Sequence, residues 1–208
     1  MNILIADDHL IVRHGLRHII ATQPGWGVTA EASTADEVLP ALRLQTIDVL
    51  VLDVTLDGRS GIDLLGHIRK EFPDLPVLML SMHDEEQYAV RCLKAGASGY
   101  IEKRGSAEEL IRAIRRVATG HIYVSSAVAD QLADGLRHGS PGMPHERLSP
   151  REFEVFRLIA AGKSLAEIAG VLHLSANTVS TYRSRILVKT GFHSNADIIG
   201  YAIRNGLI

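Results

Sequence analysis

Asp7, Asp8, Asp53, Ser81 and Lys103 are the residues of this chain whose types and places could do chemistry together. Each stands at or just beyond the carboxyl end of a short apolar run: Asp7-Asp8 after Asn2 to Ala6, Asp53 after Val49 to Leu52, Ser81 after Val77 to Leu80, and Lys103 after Gly99 to Ile101. Three carboxylates drawn together raise one another's proton affinity unless a cation neutralises them. An all-oxygen set of this kind favours Mg²⁺, which keeps several waters and takes one or two carboxylates beside a phosphate. With charge screened by the metal and by Lys103, the Asp53 carboxylate could attack phosphorus and form an acyl phosphate. Ser81 would then donate its hydroxyl to one phosphoryl oxygen and Lys103 would pair with another. Taken singly, Asp8 would be only the cap of a helix starting at His9, and Lys103 an ordinary surface cation. Their coincidence at four strand ends favours the phosphoryl chemistry.

A second set lies near the other end of the chain. A short helix from Ser164, a turn around His173-Leu174-Ser175 and a longer helix from Asn177 to Lys189 have helix-turn-helix spacing. Val179, Ile186 and Tyr182 follow helical periodicity and are expected to face a core with Leu158, Ile168 and Leu172. That leaves Ser180, Thr181, Arg183, Ser184 and Arg185 for other faces. Short hydroxyls meet base edges without steric cost, and Arg183, Arg185 and Lys189 could contact phosphates or, for an Arg, guanine. The plain alternative is an amphipathic helix with a solvated polar face.

The elements that must position these residues are legible from periodicity. Strands are expected at Asn2 to Ala6, Val28 to Ala32, Val49 to Leu52, Val77 to Ser81 and Gly99 to Ile101. Helices alternate with them over Leu10 to Ala21, Ala35 to Leu44, Gly61 to Glu71, Glu85 to Lys94 and Ala107 to Ala118. Strand and helix in alternation predict an α/β fold, a doubly wound five-stranded parallel sheet covered on both faces. Function in such a sheet gathers beyond the carboxyl ends of the strands. Gly135 to Arg147, with two Gly and two Pro within Gly139 to Pro144, reads as a linker, and Val124 to Leu136 as a possible helix before it. The rest is all-α: four helices near 150–161, 165–172, 176–189 and 195–205, with start signals Ser149-Pro150-Arg151-Glu152, Ser164-Leu165-Ala166-Glu167 and Ser175, and Gly162, Gly191 and Gly206 at the stops.

The 208 residues, 46% apolar and 22% charged, suffice for two small cores, and no apolar run approaches the roughly 20 residues of a membrane helix. An amino terminus reaching two acids by position 8, with no basic leader, suggests a cytoplasmic protein. The net charge of −2 is uneven. Residues 1–147 hold 15 Lys or Arg against 20 Asp or Glu, whereas residues 148–208 hold 7 against 4, so the two halves suit different partners. A lone Cys92 is expected to be a buried apolar residue, and Trp26 and the ten His show no metal-ligand spacing.

Asp7-Asp8, Asp53, Ser81 and Gly96-Ala97-Ser98-Gly99-Tyr100-Ile101-Glu102-Lys103 resemble the receiver domain of two-component response regulators. Leu148-Ser149-Pro150-Arg151-Glu152 through Gly206-Leu207-Ile208, with Glu167-Ile168-Ala169, Thr178-Val179 and Arg183-Ser184-Arg185-Ile186, resembles the LuxR-type helix-turn-helix, and the order of the two resembles the NarL/FixJ group. The resemblance implies a receiver over 1–118, a linker over 119–147 and a DNA-binding domain over 148–208. It implies a phosphoacceptor at Asp53, Mg²⁺ ligands at Asp7, Asp8, Asp53 and the Thr55 backbone carbonyl, and a switch aromatic at Tyr100. It further implies base contacts near Ser180, Thr181 and Ser184, phosphate contacts from Thr178, Tyr182 and Lys189, a partner histidine kinase, and a homodimer formed on phosphorylation or on double-stranded DNA. Ser81 is expected to move toward the phosphoryl group, with Tyr100 turning inward behind it. The helix from Asn195 to Asn205 is a candidate dimer contact, although Ile198, Ile199 and Ala202 suit a core better. Asp57 stands where the family commonly has Pro, Tyr182 where it commonly has His, and Ser180 where a basic residue is frequent. Thr55 and His83 fall at positions that influence the lifetime of the phosphoryl group. The alternatives are a regulator whose receiver works without phosphorylation and a Mg²⁺-dependent phosphohydrolase.

Overall fold

The computed structural model describes residues 1–56, 59–82, 85–130, 133, 143–172 and 174–207. The chain divides into two compact units, Met1–His138 and Gly139–Ile208.

In the first unit the strands β1 (Asn2–Ala6), β2 (Gly27–Ala32), β3 (Val49–Asp53), β6 (Val77–Ser81) and β7 (Gly99–Glu102) form one parallel sheet in the order β2-β1-β3-β6-β7. The chain runs outward from β1 to β2 on one side and through β3, β6 and β7 on the other, so the order reverses between β1 and β3. A crevice opens at the carboxyl ends of the strands where such a reversal occurs. Val49, Leu50, Val51 and Leu52 are all essentially inaccessible to solvent, as expected of a strand covered on both faces. Ile3, Ile5, Val49, Val51, Leu78 and Leu80 pack on one face against Leu16 and Ile20 of α1 (Leu10–Ala21) and Leu110, Ile114 and Val117 of α5 (Ala107–Ala118). The intervening helices are α2 (Ala35–Leu44), α3 (Gly61–Glu71) and α4 (Glu85–Lys94). Cys92 of α4 is buried, the small apolar role its isolation suggests.

Between β3 and α3 the chain forms a small antiparallel hairpin, β4 (Thr55–Leu56) against β5 (Arg59–Ser60), that the periodicity does not reveal. Asp57, between these strands, lies outside the described residues, as does His83. Beyond α5, Tyr123 bridges Gly99 and continues the sheet edge by one residue, and residues 126–130 are helical with Val128 buried. The remainder of the helix expected to Leu136 lies outside the described residues, apart from a helical Ala133, as does the linker sequence from residue 134 to residue 142.

The second unit holds a 3₁₀ turn (Pro144–Arg147) and α6 (Pro150–Ala160), α7 (Leu165–Val171), α8 (Ala176–Thr190) and α9 (Asn195–Arg204). Ser149, Ser164 and Ser175 each accept a hydrogen bond from the backbone N–H three residues on, the caps that their spacing predicts. Gly191 ends α8 at φ +74, a conformation that a β-carbon disfavours. Phe153, Phe156, Ile159, Ile168, Leu172, Val179, Ile186, Ile198 and Ala202 are buried as its core. Leu158, Tyr182 and Ile199, expected in the core, are only half-buried, while Phe153 and Phe156 stack within it. His173 of the turn lies outside the described residues.

Candidate functional site

The reversal of strand order brings the ends of β1 and β3 side by side, and with them Asp7 and Asp53. Both are buried, and Lys103, from just beyond β7, spans them: its Nζ lies 2.6 Å from Asp53 Oδ2 and 2.7 Å from Asp7 Oδ2. The Asp7 contact is an ion pair without hydrogen-bond alignment, so Asp7 Oδ2 is buried with no hydrogen-bond donor. Asp7 Oδ1 accepts the backbone N–H of His9 at 2.8 Å, and Asp53 Oδ1 that of Thr55 at 3.2 Å. Thr55 thus opens the β4–β5 hairpin directly beside the carboxylate. Burial pushes the Asp53 carboxyl up to about 6, with the Lys103 ammonium opposing and the Asp7 charge adding to the rise. Burial works against the Lys103 ammonium, yet Asp53 and Asp7 outweigh it and hold its pKa above the usual lysine value.

Asp8 is the more exposed acid, and its Oδ1 is 2.6 Å from His9 Nδ1. It does not cap α1: the capping position is His9, which has no side-chain cap bond, and it is Asp7 that takes its N–H. One ligand atom each from Asp7, Asp8, His9 and Asp53 lies within 4.8 Å of the others. The three carboxylates and one ammonium leave two uncompensated negative charges, which a divalent cation would cancel. That balance, the buried Asp7 Oδ2 held by an ion pair but by no aligned hydrogen bond, and the predominantly oxygen donor set fit a hard divalent ion. His9 is a residue that the sequence reading missed; its signal was adjacency to Asp8 rather than any spacing between histidines. Arg13 was missed as well: its Nη1 donates to the Asp7 carbonyl oxygen at 2.6 Å and its Nε to Glu31, fixing the end of β1.

Ser81 ends β6, almost wholly buried, and its carbonyl accepts the Lys103 N–H at 2.7 Å. Tyr100 is inaccessible to solvent, and its hydroxyl is hydrogen-bonded to the Ser81 side chain; burial pushes its pKa well up. The two residues expected to form the switch are thus neighbours, with the buried Tyr100 ring directly beside the Ser81 side chain. Gly61, the first residue of α3, packs directly against the Asp53 backbone. A β-carbon there would fall 1.9 Å from the Asp53 carbonyl oxygen.

In the second unit, α7 and α8 pair as a helix-turn-helix. Ser180, Thr181, Ser184 and Arg185 are exposed on α8, while Thr178, Tyr182 and Arg183 are half-buried. The Thr181 and Ser184 hydroxyls bond back to the carbonyls of Asn177 and Ser180, the resting arrangement for groups without an external partner. Thr178 Oγ1 lies 2.8 Å from Ser175 Oγ. Two cations are engaged internally: Arg183 Nε donates to Asn195 Oδ1 at 2.6 Å, and Lys189 Nζ lies 2.7 Å from Glu152 Oε2.

Residues 3–115 match the response regulator receiver domain, and residues 146–202 match the bacterial regulatory proteins of the luxR family. The chain belongs to the response regulator family. Its receiver and LuxR-type DNA-binding regions stand in the order of the NarL/FixJ group. Among its relatives, response regulator UvrY of Escherichia coli K12 is 33% identical over 208 residues, covering all of this chain and 95% of UvrY. Oxygen regulatory protein NreC of Staphylococcus epidermidis is 35% identical over 216 residues, covering all of this chain and 99% of NreC. RcsB from Salmonella enterica serovar Typhimurium, solved bound to promoter P1flhDC in the presence of the phosphomimetic BeF3-, is 28% identical with a TM-score of 0.65 over 97% of each chain. This response regulator has no helix, among the described residues, that is long and apolar enough to cross a membrane.

Proposed function

We propose that this response regulator accepts a phosphoryl group on Asp53 from a partner histidine kinase, with Mg²⁺ bound beside it, and that the modification governs binding of α8 to double-stranded DNA by a homodimer. The observation that carries the reading is the Lys103 ammonium held between the buried Asp7 and Asp53 carboxylates. A lysine there neutralises the resting pocket and afterwards pairs with a phosphoryl oxygen. Asp7, Asp8, Asp53 and the Thr55 carbonyl would hold the Mg²⁺, which supplies screening of the phosphoryl oxygens. An Asp53 carboxylate oxygen forms the new bond to phosphorus as the phosphorus–nitrogen bond of the donor phosphohistidine breaks, and the imidazole leaves with the electron pair. Ser81 gives up Tyr100 as hydrogen-bond partner and donates to a phosphoryl oxygen, and the freed Tyr100 hydroxyl is the change passed to the surface. On the DNA side, Ser180, Thr181 and Ser184 face base edges, and Thr178, Tyr182, Arg183 and Arg185 serve the backbone, Lys189 being the cation whose role is least direct. The working division is a receiver over 1–118, a linker over 119–147 and a DNA-binding domain over 148–208, in a cytoplasmic protein.

Incubation with acetyl phosphate and Mg²⁺ should add one phosphoryl group to the intact mass, absent in Asp53→Ala and absent with chelator. Equal labelling of wild type and variant would overturn the assignment of Asp53. A second reading, a receiver that works without phosphorylation, draws support from Asp57 standing where the family commonly has Pro. The phosphohydrolase alternative has no such support, since the family is one of transcription regulators.

A further inference from the structure

Tyrosines aside, the buried polar residues among the described ones fall into two groups. Asp7, Asp53 and Ser81 belong to the phosphoryl pocket; Arg151, Glu152 and Thr190 lie in the second unit. Thr190 satisfies itself on its own helix, donating to the Ile186 carbonyl at 2.7 Å. Arg151 and Glu152 are different. A buried charge is costly to desolvate and persists where its partners are specific, and these adjacent residues at the start of α6 reach to the turn and to the far end of the helix-turn-helix. Arg151 Nη2 donates to the carbonyl of Leu172, the residue that ends α7, at 2.9 Å, while Nη1 is held by Glu154 at 2.6 Å. Glu152 Oε2 takes Lys189 Nζ, in the last turn of α8, at 2.7 Å.

Capping does not account for Glu152. Its Oε2 also accepts the Ser149 N–H at 2.7 Å, closing a capping box. The same box recurs at Ser164 and Glu167, where the glutamate is exposed and takes the N–H and hydroxyl of its own serine. A cap asks for no burial and no distant lysine. At about 100° per residue Lys189 projects roughly 180° from Ser180 and roughly 140° from Ser184 around α8, and within roughly 20° of Thr178 and Tyr182; it is therefore its engagement by the buried Glu152, and not its direction alone, that sets it apart.

We propose that Arg151 and Glu152 are positioning residues for DNA binding, clamping the end of α7 and the end of α8 from one point on α6, and that Lys189 acts through Glu152 rather than by touching a phosphate. This rests on the DNA-binding reading of α8 and assigns the family-implied phosphate contact at Lys189 a different role. The clamp sets the angle at which Ser180, Thr181 and Ser184 meet base edges, so its loss should weaken sequence-specific binding while sparing the electrostatic, sequence-independent part.

The test uses the full chain and a duplex that the wild-type chain enriches from a random pool, beside an unrelated duplex, with Kd measured between about 50 and 200 mM salt. Circular dichroism at the assay temperature selects conditions in which each variant is folded. Lys189→Gln should weaken the selected duplex about tenfold, a loss of roughly 1.4 kcal/mol, leave the unrelated duplex within about twofold, and leave the slope of log Kd against log salt unchanged. Glu152→Gln should match it, the double variant should be no worse than either single one, and Lys189→Arg should restore binding. A slope reduced by about 0.9 with both duplexes weakened alike is the signature of a lost phosphate contact and would overturn the proposal. Unchanged binding in Lys189→Gln would also overturn it, as would additive losses in the double variant. Wild-type chain that enriches and binds no duplex would overturn the DNA reading, and the proposal with it.

Discussion

The cost of holding Asp53 ready is local and electrostatic. Its carboxyl is pushed up to about 6, mainly by burial, so the folded state favours the protonated form more than the unfolded chain does. The sign follows from linkage: this contribution to stability is fully present below about pH 3.8 and is lost as pH rises through about 6. Asp53→Asn, which cannot ionise, should therefore raise stability in metal-free buffer by up to about 3 kcal/mol at pH 7.5, less whatever the lost Lys103 ion pair takes back, and by much less near pH 4. Chemical denaturation at the two pH values checks this, and an equal gain at both would contradict it. Asp7, Asp53, Ser81 and Lys103 were legible in the sequence because each stands at or just beyond the end of an apolar run. His9 and Arg13 were not, because their parts depend on which rotamer a side chain adopts around the turn after β1.

At the scale of elements, the junction of β3 and α3 is the tightest constraint on the pocket. Gly61 lets α3 begin against the Asp53 carbonyl; in Gly61→Ala the added carbon, 1.9 Å from that oxygen, forces the strand end and helix apart. The expected outcome is a loss of about 3 kcal/mol in a denaturation experiment, with phosphoryl acceptance reduced even where the chain remains folded. The caps of the second unit are milder and more local. Ser175→Ala removes the bond to the Thr178 N–H at 3.1 Å and should cost about 1 kcal/mol, read by thermal melting of the full chain. Strands, helices and caps were visible from period and end signals. The β4–β5 hairpin was not, although Asp57-Gly58 between two short extended stretches is a turn signal; the strands are two residues long, too short for any period to show.

For the whole molecule, the question is how much free energy a phosphoryl group at one site supplies to DNA binding at another. Moving a two-state equilibrium from about 1:99 to 99:1 takes roughly 5.5 kcal/mol of differential stabilisation. A partial shift assisted by dimerisation on paired half-sites asks for less. The uneven charge of the chain, acidic before residue 148 and basic after it, was visible without the fold and suits a pocket for a divalent cation joined to a unit for a polyanion. The most direct measurement is the affinity of the full chain for its selected duplex with and without beryllofluoride and Mg²⁺, with Asp53→Ala alongside. Beryllofluoride should tighten wild-type binding by at least about tenfold, equivalent to 1.4 kcal/mol of coupling, and leave Asp53→Ala unchanged. Wild type and variant responding alike, or neither responding while both bind, would contradict control of α8 through Asp53.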